Sequence, residues 1–329
     1  MKWLITGGCG FIGTNLVSRL LEDDENTIVV LDNLSVGTRD DLSVVGDFEE
    51  LSSESHAANQ KQRVALIEAD IMSESALLSA AADVDVIVHL AANTGVGPSV
   101  ENPRQDCLTN VIGTLNVLEA ARVSNSRVVF ASSGAPIGEC EPPIHEELPA
   151  HPVSPYGASK LAGEGYCSAY FRSFGVETVA LRFGNVYGQR SRHKSSVVAK
   201  FIGHALASET LEVYGDGGQT RDFIYVDDLI DAVLMAADSK NAPGEVFQIA
   251  TDRETTVNEL VEILRKAIAT QRPELELHTE NSDARIGDVR RNFSDTSKAM
   301  QLLGWQAKHS LAEGLDATLR WFLESTTRR

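Results

Sequence analysis

The residues at the start of the chain constrain the fold more than any other stretch. An apolar run at 3–6 leads into Gly7-Gly8-Cys9-Gly10-Phe11-Ile12-Gly13, after which apolar residues recur at helical spacing. This order predicts a strand, a tight turn and a helix. Gly7 and Gly10 allow backbone N–H groups to approach a ligand, and Gly13 allows the helix to pack closely on the strand. Because a helix N-terminus carries unpaired N–H groups, the stretch is suited to binding a pyrophosphate.

An acidic residue stands where the ribose of a dinucleotide would lie. The run Thr27–Leu31 predicts a second strand that ends at Asp32, nineteen positions after Gly13. A carboxylate at this position hydrogen-bonds the ribose hydroxyls and repels a 2′-phosphate. Because no arginine follows Asp32 directly, the pattern favours NAD over NADP.

Composition excludes several classes of partner. The 329 residues carry a formal net charge of −18, which opposes binding to nucleic acid or to an anionic membrane surface. No apolar run is long enough to span a bilayer, and the N-terminus enters a strand without the pattern of a signal peptide. The four cysteines are scattered and form no C-x-x-C pair. We therefore expect a cytoplasmic protein with no metal site.

Strands alternate with helices as far as residue 183. Apolar runs predict strands at 64–67, 86–90, 127–131 and 177–182, and helical spacing predicts long helices at 103–123 and 155–174. Alternation of this kind predicts an α/β fold, a Rossmann-type parallel sheet flanked by helices. We predict a dinucleotide-binding domain over residues 1–183, to which some later segments return, and a smaller α/β substrate-binding lid over 184–329.

Other segments give less regular patterns. The hydrophilic stretch 38–63 predicts a surface excursion with one short helix, and 183–188 predicts a loop. Asp227 or Asp228 is predicted to cap a helix that runs to Ala237, and two further helices, near 257–269 and 311–323, are predicted to finish the chain.

One pair of residues carries the candidate chemistry. Tyr156 and Lys160 are four positions apart in a predicted helix, which places both side chains on one face. A phenol is a poor base at neutral pH, but a neighbouring ammonium and the positive nicotinamide of bound NAD both favour its phenolate, so its pKa can fall toward the working range. Ser133, just beyond the predicted strand 127–131, adds a hydroxyl upstream.

Together, the G-x-x-G-x-x-G turn, the Y-x-x-x-K pair and Ser133 resemble the extended branch of the short-chain dehydrogenase/reductase superfamily, which includes nucleotide-sugar epimerases and dehydratases. The resemblance implies bound NAD and a catalytic set of Ser133, Tyr156 and Lys160, in which Ser133 is assigned by counting from Phe130. For Asp70 a second interpretation stays open, a loop acid that caps the helix beginning near Ser73. The cofactor-binding residues that the resemblance implies are Gly7, Gly10, Phe11, Ile12, Asp32, Asn33, Ser35, Gly37, Asp70, Ile71, Leu90, Ala91, Ala92, Asn110, Tyr156, Lys160 and Phe183.

Later segments resemble the nucleotide-sugar site of the same family. Leu181–Gly188 is similar to a segment whose Asn contacts a diphosphate, and Tyr214–Phe223 to one that supplies a phosphate-binding Arg. Arg285–Asp288 is similar to an R-x-G-D stretch whose Arg and Asp meet the diphosphate and the ribose. Separated arginines on one diphosphate would supply a local basic pocket in an acidic chain. The implied substrate contacts are Thr94, Ser133, Asn185, Val198, Tyr214, Arg221, Arg285 and Asp288.

The resemblance implies an epimerase rather than a dehydratase, because residues 134–138 lack the carboxylates that dehydratases place after the hydroxyl residue. The main hypothesis is a UDP-hexose 4-epimerase acting on UDP-glucose or UDP-galactose through a transient 4-keto sugar. A UDP-glucuronate 4-epimerase or decarboxylase is an alternative, and a non-catalytic NAD-binding sensor or scaffold is an alternative of another class. The sugar and the nucleobase stay open. The resemblance also implies a homodimer, formed as a four-helix bundle from helices 103–123 and 155–174.

Overall fold

Strands and helices alternate along most of the chain in the computed structural model, which describes residues 1–54, 59–192, 196–283 and 289–327. The strands are β1 (Lys2–Thr6), β2 (Thr27–Asp32), β3 (Glu49–Leu51), β4 (Val64–Glu68), β5 (Val86–His89), β6 (Arg127–Ser133), β7 (Thr178–Phe183), β8 (Asn185–Tyr187), β9 (Leu211–Tyr214), β10 (Thr220–Arg221), β11 (Phe223–Tyr225), β12 (Val246–Ile249), β13 (Thr255–Thr256) and β14 (Thr279–Ser282). The α-helices are α1 (Phe11–Leu20), α2 (Arg39–Ser43), α3 (Glu74–Ala80), α4 (Val96–Glu101), α5 (Pro103–Cys107), α6 (Gly113–Ser124), α7 (Pro155–Phe174), α8 (Val197–Leu206), α9 (Val226–Asp238), α10 (Val257–Gln271), α11 (Ser297–Leu303) and α12 (Leu311–Thr327). A π-helical turn, Leu108–Ile112, joins α5 to α6.

Most of the strands form one large sheet. Within the described ranges it has eight strands, all parallel, in the order β12-β7-β6-β5-β1-β2-β4-β3. β1 pairs with β2 on one side and with β5 on the other. The strand order therefore reverses at β1, and a crevice opens at the carboxyl ends of these strands. The predicted Rossmann-type fold is confirmed.

The sheet is buried on both faces. Along β1, Leu4 packs into one apolar cluster and Ile5 into the other, because successive side chains of a strand point to opposite faces. Leu16 of α1 lies in the cluster with Ile5, and Leu118 of α6 lies in the cluster with Leu4. Strands that are buried on both faces have continuous apolar sequences, which is why their positions can be predicted from the sequence.

The C-terminal part of the chain contains more strand than the sequence pattern predicts. β12 joins the edge of the large sheet beside β7. The loop predicted at 183–188 is wrong in part, since β8 lies within it and pairs in parallel with β11. The predicted caps of α9 are also wrong, because the N-cap is Tyr225. Asp227 and Asp228 lie in the first turn instead, where carboxylates interact favourably with the helix dipole.

Two other predictions are incomplete. The stretch 38–63 contains the predicted short helix, α2, and also an edge strand, β3, which pairs with β4. The residues of β3, Glu49–Leu51, show no apolar pattern, because backbone hydrogen bonds to β4 hold this strand in the sheet. The helix α11 precedes the closing helix α12, so the prediction of two closing helices missed one.

The described residues lack the features of two other protein classes. No helix among them combines the length and the apolar character needed to cross a membrane. Over the same ranges, no group of three or more His, Cys, Asp or Glu side chains could hold a metal ion. All four cysteines are free thiols, with Cys9 and Cys167 buried.

Candidate active site

The glycine turn after β1 leaves the N-terminus of α1 open to a ligand. Gly7 has a φ of +72°, a conformation that L side chains rarely adopt. A Cβ on Gly13 would lie 2.5 Å from the carbonyl oxygen of Gly7, so α1 packs directly on the turn. Gly10 is the N-cap and supplies no side-chain acceptor, and Phe11 and Ile12 begin the helix. The positive end of the helix dipole at this first turn suits a pyrophosphate.

Asp32 ties the glycine turn to the end of β2. Its Oδ2 accepts a hydrogen bond from the Cys9 N–H at 2.9 Å, and its Oδ1 accepts one from the Leu34 N–H at 2.8 Å. Burial raises the pKa of this carboxyl, and the two N–H groups lower it. Gly37 passes so close to the turn that a Cβ on it would lie 2.2 Å from the Cys9 carbonyl oxygen. The carboxylate therefore lies beside the turn, where it fits a ribose.

The other predicted cofactor residues follow the carboxyl ends of neighbouring strands. The Asn33 side chain donates to Asp70 Oδ2 at 2.8 Å, which links the loops after β2 and β4. Asp70 Oδ1 accepts from the Met72 N–H, and the N-cap of α3 is Ser73, so the interpretation of Asp70 as a helix cap is wrong. Ser35 is exposed and Ile71 is buried. Three half-buried residues follow β5, namely Leu90, Ala91 and Ala92, and Phe183 is half-buried at the end of β7.

Ser133, Tyr156 and Lys160 meet where β6 ends and α7 begins. Ser154 is the N-cap of α7 and accepts through its side chain, which fixes the start of the helix at Pro155. Lys160 donates from Nζ to the carbonyl oxygen of Ala131 at 2.8 Å. The same Nζ lies 5.9 Å from the centre of the Tyr156 ring. The Ser133 hydroxyl is close enough to the Tyr156 hydroxyl to lower its pKa.

Burial controls the protonation of Tyr156 and Lys160. It raises the pKa of Tyr156 to about 12 and lowers the pKa of Lys160 to about 8. The expected lowering of the Tyr156 pKa depends on Lys160 together with the nicotinamide. In the protein alone burial has the larger effect, and the Lys160 ammonium donates to Ala131. Further positive charge is needed at this site before the phenolate forms at neutral pH.

Asn110 lies in the π-helical turn and braces the loop after β5. Its Oδ1 accepts from the Asn93 N–H at 2.8 Å, and its Nδ2 donates to the Asn93 carbonyl at 2.9 Å. The same Nδ2 contacts Ser159 Oγ at 3.1 Å, so one side chain joins this loop to α7. The spacing of apolar residues predicts one regular helix over 103–123, whereas the π-helical turn interrupts it. Such turns recur at functional sites.

A buried ion pair supports the same corner of the sheet, and no motif marks it. Glu164 on α7 accepts hydrogen bonds from Arg182 on β7 at 2.8 and 2.7 Å and from the Ser132 hydroxyl at 2.5 Å. Both charged side chains are buried. The signal that could have found Glu164 is its spacing, because Tyr156, Lys160 and Glu164 are four residues apart and share one face of the helix.

A cavity of about 360 Å³ opens beyond the end of β7. Phe183 pairs with Ser133 across the sheet, and the next two residues, Gly184 and Asn185, line the cavity. The structure brings four of the predicted substrate contacts together in its walls, namely Asn185, Val198, Tyr214 and Arg221. The cavity therefore begins directly after the residue of β7 that pairs with Ser133.

Two other predicted substrate contacts, Ser133 and Thr94, are not among the residues that line the cavity. Thr94 is exposed in the loop after β5, and Arg285 and Asp288 lie outside the described residues. Arg221 is fixed beside the cavity, since its Nη1 donates to the carbonyls of Thr220 and Val289 at 2.6 and 2.8 Å. Residues of the walls that no sequence motif indicates include Lys200, His204 and Gln219.

Both the sequence and the fold match known proteins. The sequence model of the NAD-dependent epimerase/dehydratase family matches residues 3–250. The UDP-glucose 4-epimerase of Mycolicibacterium smegmatis is 37% identical over 328 residues, which cover 98% of this chain and 98% of that protein. The crystal structure of the Thermotoga maritima UDP-glucose 4-epimerase with UDP-glucose has a TM-score of 0.86 at 34% identity, covering 99% of this chain and 100% of the other. The UDP-glucuronic acid 4-epimerase of Bacillus cereus, solved with UDP-glucuronic acid and NAD, has a TM-score of 0.85 at 29% identity, with 99% and 100% covered.

Proposed function

The chain belongs to the NAD-dependent epimerase/dehydratase family, and we propose that it is a UDP-hexose 4-epimerase that interconverts UDP-glucose and UDP-galactose. The observation that carries the proposal is the meeting of Ser133, Tyr156 and Lys160 at the carboxyl edge of a parallel sheet whose first turn suits a dinucleotide. Similarity to UDP-glucose 4-epimerases over nearly the whole chain supports the choice of reaction.

NAD is the cofactor, and when bound it supplies a positively charged ring that accepts a hydride from the sugar and returns it. The residues that would hold it are the glycine turn for the pyrophosphate, Asp32 for the adenosine ribose and Lys160 for the nicotinamide ribose. Arg39, the first basic residue after Asp32, is paired with Glu50 and Glu68. Arg39 is therefore already engaged, and a 2′-phosphate would meet the Asp32 carboxylate instead of a cation. Both features support NAD over NADP.

Tyr156 is the proposed general base and acid. As a phenolate it removes the proton from the C4 hydroxyl of the sugar, and it returns the proton when the 4-keto sugar is reduced on its other face. Ser133 donates a hydrogen bond to the same sugar oxygen and holds it in place. Lys160 stays protonated and favours the phenolate. Burial keeps Tyr156 protonated in the protein by itself, so the base becomes active only with added positive charge.

The cavity beyond β7 is the proposed site of the UDP group. Asn185 and Arg221 contact the diphosphate, with Arg285 and Asp288 completing the site, so residues 184–329 mainly bind substrate while 1–183 mainly bind NAD. The loop 94–99 carries hydroxyls and no arginine, which favours a neutral hexose over the C6 carboxylate of glucuronate. UDP-glucuronate is the second candidate substrate, supported by the similarity to the Bacillus cereus enzyme.

A panel of nucleotide sugars tests the proposal. Purified protein incubated with UDP-glucose, UDP-glucuronate and UDP-GlcNAc, and with their GDP, dTDP and CDP counterparts, should convert UDP-glucose to UDP-galactose, as read by NMR. Denaturation should release NAD rather than NADP, as identified by mass spectrometry. Conversion of UDP-glucuronate alone would contradict the choice of hexose. A protein that converts no member of the panel would contradict catalysis and favour a sensor or scaffold.

We also propose that the protein is a cytoplasmic homodimer. Apolar side chains are exposed on both long helical segments, with Leu108 and Ile112 in the π-helical turn, Val123 in α6 and Phe174 at the end of α7. Scattered apolar residues are common on monomers, but these fall on helices that pack side by side. Pairing with a second copy would cover them in a four-helix bundle. The free thiols support a reducing compartment.

Sedimentation velocity at micromolar concentration should give a mass of twice 35.6 kDa. The variant Ile112→Asp should shift the protein to monomer, because it places an unpaired carboxylate at the centre of the bundle. The control Val44→Asp changes an exposed apolar residue outside these helices and should leave the dimer intact. A monomeric wild type would contradict the proposed bundle.

A further inference from the structure

Asp106 is a buried carboxylate that the mechanism above does not use. It lies on α5 with 1% of its surface exposed. Its Oδ1 accepts a hydrogen bond from the Asn110 side chain at 3.0 Å, whereas its Oδ2 is buried without a hydrogen-bond partner among the described residues. A buried carboxylate with one unpaired oxygen is costly unless a nearby cation compensates its charge.

The Asn110 side chain links Asp106 to the helix that carries Tyr156. Asn110 Nδ2, which donates to Asp106, also contacts Ser159 Oγ at 3.1 Å. Ser159 in turn donates from Oγ to the backbone carbonyl of Tyr156 at 3.0 Å. A carboxylate, an amide and a hydroxyl therefore form one chain that runs from α5 to the first turn of α7.

This chain of contacts leads to a buried cation, because Lys160 directly follows Ser159 on α7. Burial lowers the pKa of Lys160, and Asp106 has the largest effect among the groups that raise it, ahead of Cys167 and Glu164. Burial raises the pKa of the Cys167 thiol to about 12, so this thiol is neutral, and the Glu164 carboxylate is paired with Arg182.

The remaining titratable neighbours of Lys160 carry no compensating charge. Burial lowers the pKa of His89 on β5 to about 3, so its ring is neutral at pH 7. Tyr156 is protonated because burial raises its pKa to about 12. β6, which supplies the carbonyl that Lys160 contacts, has no charged residue after Arg127 at its far end. Among these groups, Asp106 is therefore the one whose negative charge favours the Lys160 ammonium.

We propose that Asp106 is a positioning residue for Tyr156 and Lys160. Asp106 holds the first turn of α7 through Asn110 and Ser159, and it keeps the Lys160 ammonium charged inside the protein. The consequence for turnover rests on the proposed function, whereas the effect on Lys160 does not. Removing the carboxylate charge disfavours the ammonium and favours the phenolate, so the pKa values of Lys160 and Tyr156 both fall. Both limbs of the pH profile of kcat/KM then move to lower pH.

A direct titration of Lys160 tests this proposal in the full-length protein labelled with ¹³C at lysine Cε. The signal is assigned by its loss in Lys160→Met, and in the wild type it should titrate near pH 8. In Asp106→Asn its midpoint should fall by about one pH unit. Asp106→Ser, which keeps an acceptor for Asn110, is a second neutral variant should the first fail to fold. The control Glu101→Gln removes an exposed carboxylate on α4 and should leave the midpoint unchanged.

The outcomes separate the two proposals. An unchanged Lys160 midpoint in both neutral variants would overturn the role of Asp106, whether or not the wild type turns over UDP-glucose. A lowered midpoint in a protein that converts no nucleotide sugar would support Asp106 and contradict the proposed function. A purely structural role would lower kcat without moving either limb of the pH profile, and that result would also overturn the proposal.

Discussion

Replacing Tyr156 with phenylalanine should lower turnover by about 10²–10⁴-fold, the range that a positioned general acid–base group contributes. The change removes one oxygen atom and keeps the ring at the start of α7. We expect kcat to fall while KM and the amount of NAD released on denaturation stay near the wild-type values, because phenylalanine keeps the ring in place and loses only the hydroxyl that moves the proton. The measurement is steady-state conversion of UDP-glucose, followed by NMR.

The matched control for this variant is Tyr166→Phe. It removes a hydroxyl from an exposed ring on the same helix and should leave kcat unchanged. A Tyr156→Phe protein that keeps more than about a tenth of the wild-type kcat would contradict the assignment of the base. Equal losses in the two variants would show that the effect belongs to the helix rather than to the Tyr156 hydroxyl.

The protonation of Tyr156 explains why this base needs its cofactor. Burial raises its pKa to about 12, so the group is protonated at neutral pH when only the protein acts on it. Lys160 cannot reverse this alone, since its ammonium donates to the Ala131 carbonyl and burial lowers its own pKa to about 8. Bound NAD would supply the further positive charge that the proposed mechanism requires, which would couple activation of Tyr156 to binding of the cofactor.

The central sheet could be predicted from the sequence because its strands are buried on both faces and therefore read as continuous apolar runs. β3 and β8 could not, because they pair at an edge or in a two-stranded sheet and tolerate polar residues such as Glu49 and Asn185. β12 pairs with β7 across more than sixty residues of sequence. Its position depends on tertiary contacts that no local pattern records.

The same distinction holds within the candidate site. Gly7, Tyr156 and Lys160 belong to short motifs whose spacing follows from a turn or a helix, so sequence alone indicates them. Asp106 and Glu164 do not, since a charged residue on a helix is usually exposed. Their burial follows from packing against segments that are distant along the chain, and only the folded structure shows that both act to raise the pKa of Lys160.

The buried ion pair between Glu164 and Arg182 gives the second large expected effect. Glu164→Gln should destabilise the protein by about 3–5 kcal/mol, because it leaves a buried guanidinium without its counter-charge. The positive charge of Arg182 would then be left uncompensated, since its Nη1 is already buried without a hydrogen-bond partner among the described residues. Urea unfolding should show a lower midpoint with an unchanged slope. The control Glu262→Gln breaks an exposed pair with Arg265 and should leave the midpoint unchanged.

The double variant Glu164→Leu with Arg182→Met separates stability from catalysis. Apolar side chains of similar volume can replace a buried ion pair with little loss, so we expect most of the stability of the wild type to return. We expect kcat to fall below that of the wild type, because leucine removes the acceptor that holds the Ser132 hydroxyl, directly before Ser133 at the end of β6. A double variant that is both stable and fully active would show that the pair only fills space. A Glu164→Gln protein that unfolds at the wild-type urea concentration would contradict any contribution of the pair to stability.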